Sequence, residues 1–241
     1  MAGRFTRLAV MVAVSTVVLT GCGGKKEKGV SGSTESGDSS GRVEAMESGA
    51  NAGDGTKSTE TGDGAKFTDS RDGKTYKTVK VGDKTWMAEN LNFGEGVEAD
   101  GSACYDYEDA NCAKYGRLYD WATALKACPA GFHLPSDDEW TALVNYAGGE
   151  DKAGTKLKSA AGWNEDGNGT NDFGWSALPS GYGGLGGVDG DFYDGGYNGF
   201  WWSATEDDAS NVWRRNMGDN NDVNRGRAKK RDLLSVRCVK D

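Results

Sequence analysis

The chain has 241 residues, a formal net charge of −9, 38 glycines and only 3 prolines, with a mean hydropathy of −0.67. Hydropathy that low excludes a polytopic membrane protein, aperiodic glycine excludes a collagen-like repeat, and 8 Trp with 9 Tyr exclude a wholly disordered chain. The single histidine, His133, excludes a multi-histidine metal centre. After residue 66, 20 basic residues face 29 acidic ones; that balance repels phosphate backbones and argues against a nucleic-acid partner.

Residues 1–21 read as an address. Arg4 and Arg7 precede an apolar run from Leu8 to Val18, broken only by Ser15 and Thr16. A run this short does not span a bilayer, which takes about 20 apolar residues, but it has the length of a secretory core. It ends in Leu19-Thr20-Gly21-Cys22, which resembles the lipobox of bacterial lipoproteins. The resemblance implies that Cys22 is lipidated and holds the mature chain to a membrane. Gly23 in place of Asp implies outer-membrane sorting, by analogy with enterobacteria.

From Cys22 to residue 66 there is no aromatic residue, and Val30, Val43 and Met46 are the large apolar side chains. Such a stretch buries too little apolar surface to offset its ordering entropy, so the expectation is a flexible linker with a mean span of about 35 Å.

Residues 67–241 form the expected globular domain. Asp72-Gly73-Lys74 and Gly82-Asp83-Lys84 are turn sequences flanking a strand over Thr75–Val81, and a third strand is expected over Thr85–Leu91. Leu118, Trp121, Ala122, Leu125 and Cys128 recur at helical spacing, which predicts a helix over Arg117–Cys128 closed by Pro129 and Gly131. Ser136 and Glu139 form a capping box for a second helix, with Trp140, Leu143, Val144 and Ala147 on its buried stripe and Gly148-Gly149 at its end. A short third helix is expected over Lys152–Ala161. Residues 162–199 hold 13 glycines among Asn, Asp and aromatics, the profile of functional loops on a scaffold. Strands return at Phe200–Thr205, Asn211–Met217 and Leu233–Val239; in the last, Leu234, Val236 and Cys238 share a face. The basic run Arg225–Arg231 reads as an exposed strand edge balanced by nearby acids, with nuclear import or an anionic ligand as the sharper alternative.

Four further cysteines, Cys104, Cys112, Cys128 and Cys238, allow three pairings. In an oxidising compartment a local Cys104–Cys112 bridge is natural, and a Cys128–Cys238 bridge would close a loop of about 110 residues. A Cys at the end of a first helix and one in the final strand, with Gly131-Phe132-His133-Leu134 and Ser136 between them, resemble the C-type lectin-like fold. The segments Lys84–Leu91, Cys128–Ser136, Trp175-Ser176-Ala177-Leu178-Pro179, Phe200–Glu206 and Ser235–Val239 are similar to the Fibrobacter succinogenes major paralogous domain. The resemblance covers roughly 67–241. It implies an α+β, C-type lectin-like domain with two main helices, short antiparallel strands and long Gly/Asn/Asp-rich loops, on exported proteins with no assigned enzymatic role.

Formylglycine-generating enzymes share that broad fold, and Leu134-Pro135-Ser136 followed by Glu139-Trp140 is similar to theirs. They need a close pair of reactive cysteines near the C-terminal end. Only Cys238 lies there, so the expectation is no enzyme and no catalytic residue, with His133 as a structural hydrogen-bonding side chain. Asp166, Asn168 and Asp172 alternate with glycines as a hard-cation loop would, which makes calcium the one candidate cofactor; the bland alternative is a loop satisfied by its own Asx turns. For ligand contact the aromatic candidates are Trp163, Trp175, Tyr182, Tyr193, Tyr197 and Trp202, because Trp and Tyr faces stack on sugar rings. The resulting expectation is a lipid-anchored envelope module that contacts polysaccharide; the alternatives are a protein–protein scaffold in an envelope assembly and a degenerate relative of the formylglycine-generating enzymes.

Overall fold

The computed structural model describes residues 65–96, 98–99, 101–184 and 191–241. The apolar leader, Cys22 and the linker up to residue 64 lie outside the described residues. Among those described, no helix is long and apolar enough to cross a membrane.

The chain enters through β1 (Lys66–Thr68), β2 (Thr75–Val81) and β3 (Lys84–Met87), an antiparallel meander. Gly73 and Gly82 make its turns with φ of +73° and +63°, which glycine adopts without a Cβ penalty. The strand expected through Leu91 ends at Met87. Beyond it, Leu91 N–H donates to Val236 O at 2.9 Å, so the chain leaves the ladder and carries Asn90 and Leu91 inward.

Next come β4 (Glu98–Ala99), β5 (Ser102–Ala103), α1 (Asp109–Tyr115) and β6 (Leu118–Tyr119). They are followed by α2 (Trp121–Ala127), β7 (Phe132–His133), α3 (Asp137–Tyr146) and α4 (Glu150–Leu157). Here one expectation needs correction. The helix predicted over 117–128 begins only at Trp121, because Asp120 caps it through Thr123 N–H at 2.7 Å while Leu118 belongs to β6. Its buried face is Trp121, Ala124 and Ala127, and Leu125 is 43% exposed. The capping box of α3 is present as predicted, and Trp140, Leu143 and Val144 are buried on it. The third helix starts at Glu150 rather than Lys152, and α1 was not expected.

The C-terminal half runs through β8 (Ser180–Gly183), β9 (Phe192–Gly195), β10 (Gly199–Glu206), β11 (Asn211–Met217), β12 (Asn224–Lys229), β13 (Leu234–Ser235) and β14 (Val239–Lys240). One sheet has the order β1-β2-β3-β14-β7. The larger has the order β12-β11-β10-β13-β6-β5-β4, with the β8–β9 pair joined to β10 through β8. Pairs are antiparallel except β10–β13 and β10–β8. The architecture is α+β, with helices packed on curled, mainly antiparallel sheets. The final strand expected over 233–239 is two short strands, one in each sheet. Its predicted alternation holds, but both faces are buried. Leu234, Val236 and Cys238 join one core cluster, and Val239 joins another.

That second cluster is built on tryptophan. Trp86, Trp140, Trp175 and Trp201 pack edge-on or tilted, with ring centroids 5.2 to 6.5 Å apart. Each such burial contributes on the order of 4–6 kcal/mol of transfer free energy. Cys104–Cys112 and Cys128–Cys238 are both bridged, and the second ties the end of α2 to the segment between the two last strands.

Candidate functional site

Three of the six aromatic candidates are core residues, which corrects the expectation for them. Trp175 and Trp202 are fully buried and Trp163 is 5% exposed. Trp163 Nε1 donates to Ala177 O at 3.0 Å, and Lys158 Nζ lies 5.1 Å over its ring. Trp202 Nε1 donates to Tyr119 O at 2.6 Å. The Arg237 guanidinium covers the Trp175 face at 3.9 Å. None of the three presents a ring face to solvent.

The tyrosines behave differently. Tyr193 and Tyr197 are 44% and 45% exposed. Tyr182 is half-buried and stacks on Tyr193, with centroids 5.3 Å apart and planes at 29°. Its other contact is the edge of Phe200, at 5.1 Å. Tyr182 and Phe200 border a cavity of about 310 Å³, lined also by Asp194, Arg214, Arg227, Asp232 and Leu234.

Strand pairing places those groups. On β11, Val212 and Arg214 fall on one face, and Val212 joins the core cluster that holds Phe200, Ala228 and Leu234. Arg214 therefore occupies an inward-facing position. Its neighbour across the ladder is Gly226. A Cβ built there would lie 3.2 Å from the Arg214 guanidinium carbon, so glycine leaves the room that the side chain fills. Arg214 Nε donates to Arg227 O at 3.1 Å, and Nη1 donates to Asn216 Oδ1 at 2.5 Å. The guanidinium also lies 4.8 Å over Phe200.

The charges in the cavity are not joined in direct ion pairs. Among the described residues, no carboxylate comes within ion-pair distance of Arg214. Burial pushes its pKa down. Burial likewise pushes the Asp232 carboxyl up, against a hydrogen bond from Lys229 N–H at 3.0 Å. A donor and an acceptor thus face one largely polar space bordered by the Tyr182 and Phe200 rings, an arrangement that suits hydroxyl-rich molecules.

The other sequence candidates are accounted for as follows. Asn168 Oδ1 accepts the Trp163 N–H at 3.0 Å, so the loop of Asp166, Asn168 and Asp172 spends that oxygen on itself. Among the described residues, no three His, Cys, Asp or Glu side chains gather into a group that could hold a metal ion. His133 sits between two carboxylates: Nδ1 is 2.6 Å from Asp241 Oδ1 and Nε2 is 3.0 Å from Glu139 Oε2. Burial lowers its pKa, but the bonds to Asp241 and Glu139 outweigh that and raise it. It ties β7 and the chain end to the start of α3. The basic run lies on edge strand β12 and the turn after it. There Arg225 pairs with Asp137 at 2.8 Å, Arg227 with Asp207 at 2.9 Å and Lys230 with Glu206 at 3.1 Å.

Arg214, Asp194 and Asp232 were not among the sequence candidates. The available signal was the period-two pattern of Val212-Trp213-Arg214-Arg215-Asn216-Met217, which puts a charged residue on the same face as Val212. A family model described as the Fibrobacter succinogenes major domain matches residues 79–240. No curated protein and no solved structure matches the chain.

Proposed function

Taking as premise that the chain belongs to the Fibrobacter succinogenes major domain family, we propose that it is a lipid-anchored, non-catalytic binding module that contacts polysaccharide. Its domain has a C-type lectin-like variant of the α+β architecture. Its anchor is the lipidated Cys22, its location is the outer membrane, and residues 23–66 are the tether.

The observation that carries the reading is the Tyr182–Arg214–Asp232 cavity. Tyr182, backed by Tyr193, supplies a flat apolar face, and Arg214 and Asp232 supply donors and an acceptor that lack ion-pair partners among the described residues. Sugar rings need both features, a face to stack on and partners for hydroxyls. The four cysteines of the domain are consumed in bridges, which argues against chemistry of the formylglycine-generating type.

The test is retention of the full-length chain, purified in mild detergent, on insoluble cellulose, xylan and mannan, with calcium and with chelator. Retention on at least one polymer, unaffected by chelator, is the expected result. Absence of retention on all three overturns the reading and transfers it to an envelope-protein partner, to be sought by crosslinking on cells.

A further inference from the structure

The shape of the cavity says how a polysaccharide enters it. Its floor is built of core residues. Phe200, Ala228 and Leu234 line it, and all three belong to the buried core cluster. Its sides are the Tyr182 ring on β8, Arg214 on β11 and the turn that carries Asp232. At about 310 Å³ it stands at the small end of ligand pockets, which run from roughly 300 to 1,000 Å³. A sugar inside a polymer carries a neighbour on both sides and cannot descend to such a floor. A terminal or branch sugar carries one.

The polar groups agree. Arg214 is held by Arg227 O and Asn216 Oδ1, which leaves Nη2 with no partner among the described residues. Asp232 Oδ2 takes the Lys229 N–H, and Oδ1 has no partner among the described residues. Arg214 offers donors and Asp232 an acceptor, and the two carry opposite charge. A neutral pair of neighbouring hydroxyls, one accepting and one donating, satisfies both without bringing a further charge into the cavity. A uronate would satisfy Arg214 and set its carboxylate against Asp194 and Asp232, while the other lining cation, Arg227, is already paired with Asp207.

We propose that the cavity recognises a single neutral sugar residue at a chain end or side branch, seated end-on against Tyr182 with neighbouring hydroxyls shared by Arg214 and Asp232. The proposal rests on the polysaccharide reading above and deepens it. Tyr193, exposed and stacked behind Tyr182, sits at the rim.

The experiment is calorimetric titration of the full-length chain with mono-, tri- and hexasaccharides of the xylan, cellulose and mannan series, together with glucuronate. End recognition predicts that one series binds with the same molar affinity at all three lengths, within about twofold, and that glucuronate binds at least about tenfold more weakly, a difference of about 1.4 kcal/mol. Arg214→Ala should weaken this binding roughly tenfold or more, and Arg214→Lys should weaken it less. Gly226→Ala, which crowds the guanidinium, should weaken it with the fold intact. Affinity that climbs more than about tenfold from mono- to hexasaccharide overturns end recognition while leaving a polysaccharide binder. Preference for glucuronate overturns the neutral-sugar class. Binding of no saccharide, with no polymer retained, overturns both this inference and the reading beneath it.

Discussion

Arg237 places its guanidinium on the side-chain oxygen of Asn90, with Nη2 at 2.7 Å and Nε at 3.1 Å, in a site where neither residue reaches solvent. The same oxygen accepts Trp201 Nε1 at 2.9 Å. Asn90 Nδ2 donates to Tyr115 O at 2.8 Å and Ser235 Oγ at 3.3 Å. One amide thus joins the segment after β3, the end of α1, β10 and the stretch between the last strands. Among the described residues no carboxylate comes within ion-pair distance of this cation, and burial pushes its pKa down to about 9. It is held by neutral oxygens and by the Trp175 face.

From this follows an order of stabilities that counting charges would not give. Asn90→Ala should cost about 3–5 kcal/mol, because it leaves a buried cation short of its main acceptor. Arg237→Met removes the charge together with its demand and should cost roughly half as much. Urea denaturation of the two variants decides it. A larger loss for Arg237→Met would show that the cation itself holds the region.

Stability should also depend on pH through the His133 clasp. Glu139 is brought to about 2: burial raises it, but the Ser136 N–H, Lys84 and His133 together outweigh burial. Its contribution is present above the ordinary value near 4.5 and is lost as pH falls toward 2; it amounts to at most about 3 kcal/mol. His133 is raised above 6.5, so its contribution is full below that pH and fades as pH rises through the folded value. The two windows overlap between about pH 4.5 and 6.5, where thermal stability should peak. Glu139→Gln should flatten the acid limb and His133→Gln the limb above neutrality. A melting profile unchanged by either substitution would remove the clasp from the account.

The two bridges should differ in weight. In the chain-entropy picture, a closed loop of 110 residues is worth about 5 kcal/mol and one of 8 about 2.5 kcal/mol. Replacing Cys128 and Cys238 with serine should therefore lower the denaturation midpoint about twice as far as replacing Cys104 and Cys112. Equal losses would point to packing around the sulfurs, where Arg117 Nη1 sits 3.6 Å from Cys104 Sγ, as the larger effect.

What could be read in the sequence was set by local chemistry. The α3 capping box, the turns at Gly73 and Gly82, strand β11 and the bland reading of the basic run all rest on neighbours a few residues apart. The helix over 117–128 was extended one turn too far toward the N-terminus, since Leu118 fits a helical stripe and a two-residue strand equally well; Asp120, the cap, marked the true start. Trp163, Trp175 and Trp202 lie in or beside loops rich in Gly and Asn, so composition alone pointed outward. Their burial depends on distant partners such as Arg237 and Tyr119, which no local pattern reveals. The cavity assembles six strands and a turn, and of its lining only Tyr182 was an aromatic ligand candidate beforehand, with Arg227 named as part of the basic run.

The tyrosine pair and the buried tryptophans should separate cleanly on substitution. Tyr193→Ala changes an exposed ring and should leave the melting temperature within the range of surface variants, about 0.5 kcal/mol, while weakening polysaccharide retention. Trp163→Phe should lower the melting temperature and leave affinity unchanged in the folded fraction. The reverse pattern would return the ligand contact to the loop around Trp163.

The most direct measurement is retention on polysaccharide of wild type and Arg214→Ala side by side, each with its melting temperature recorded. A charge-assisted hydrogen bond worth about 1.5–3 kcal/mol predicts a loss of affinity of roughly tenfold or more in a variant that melts as wild type does. Full retention by Arg214→Ala would contradict the account and move the site away from this cavity.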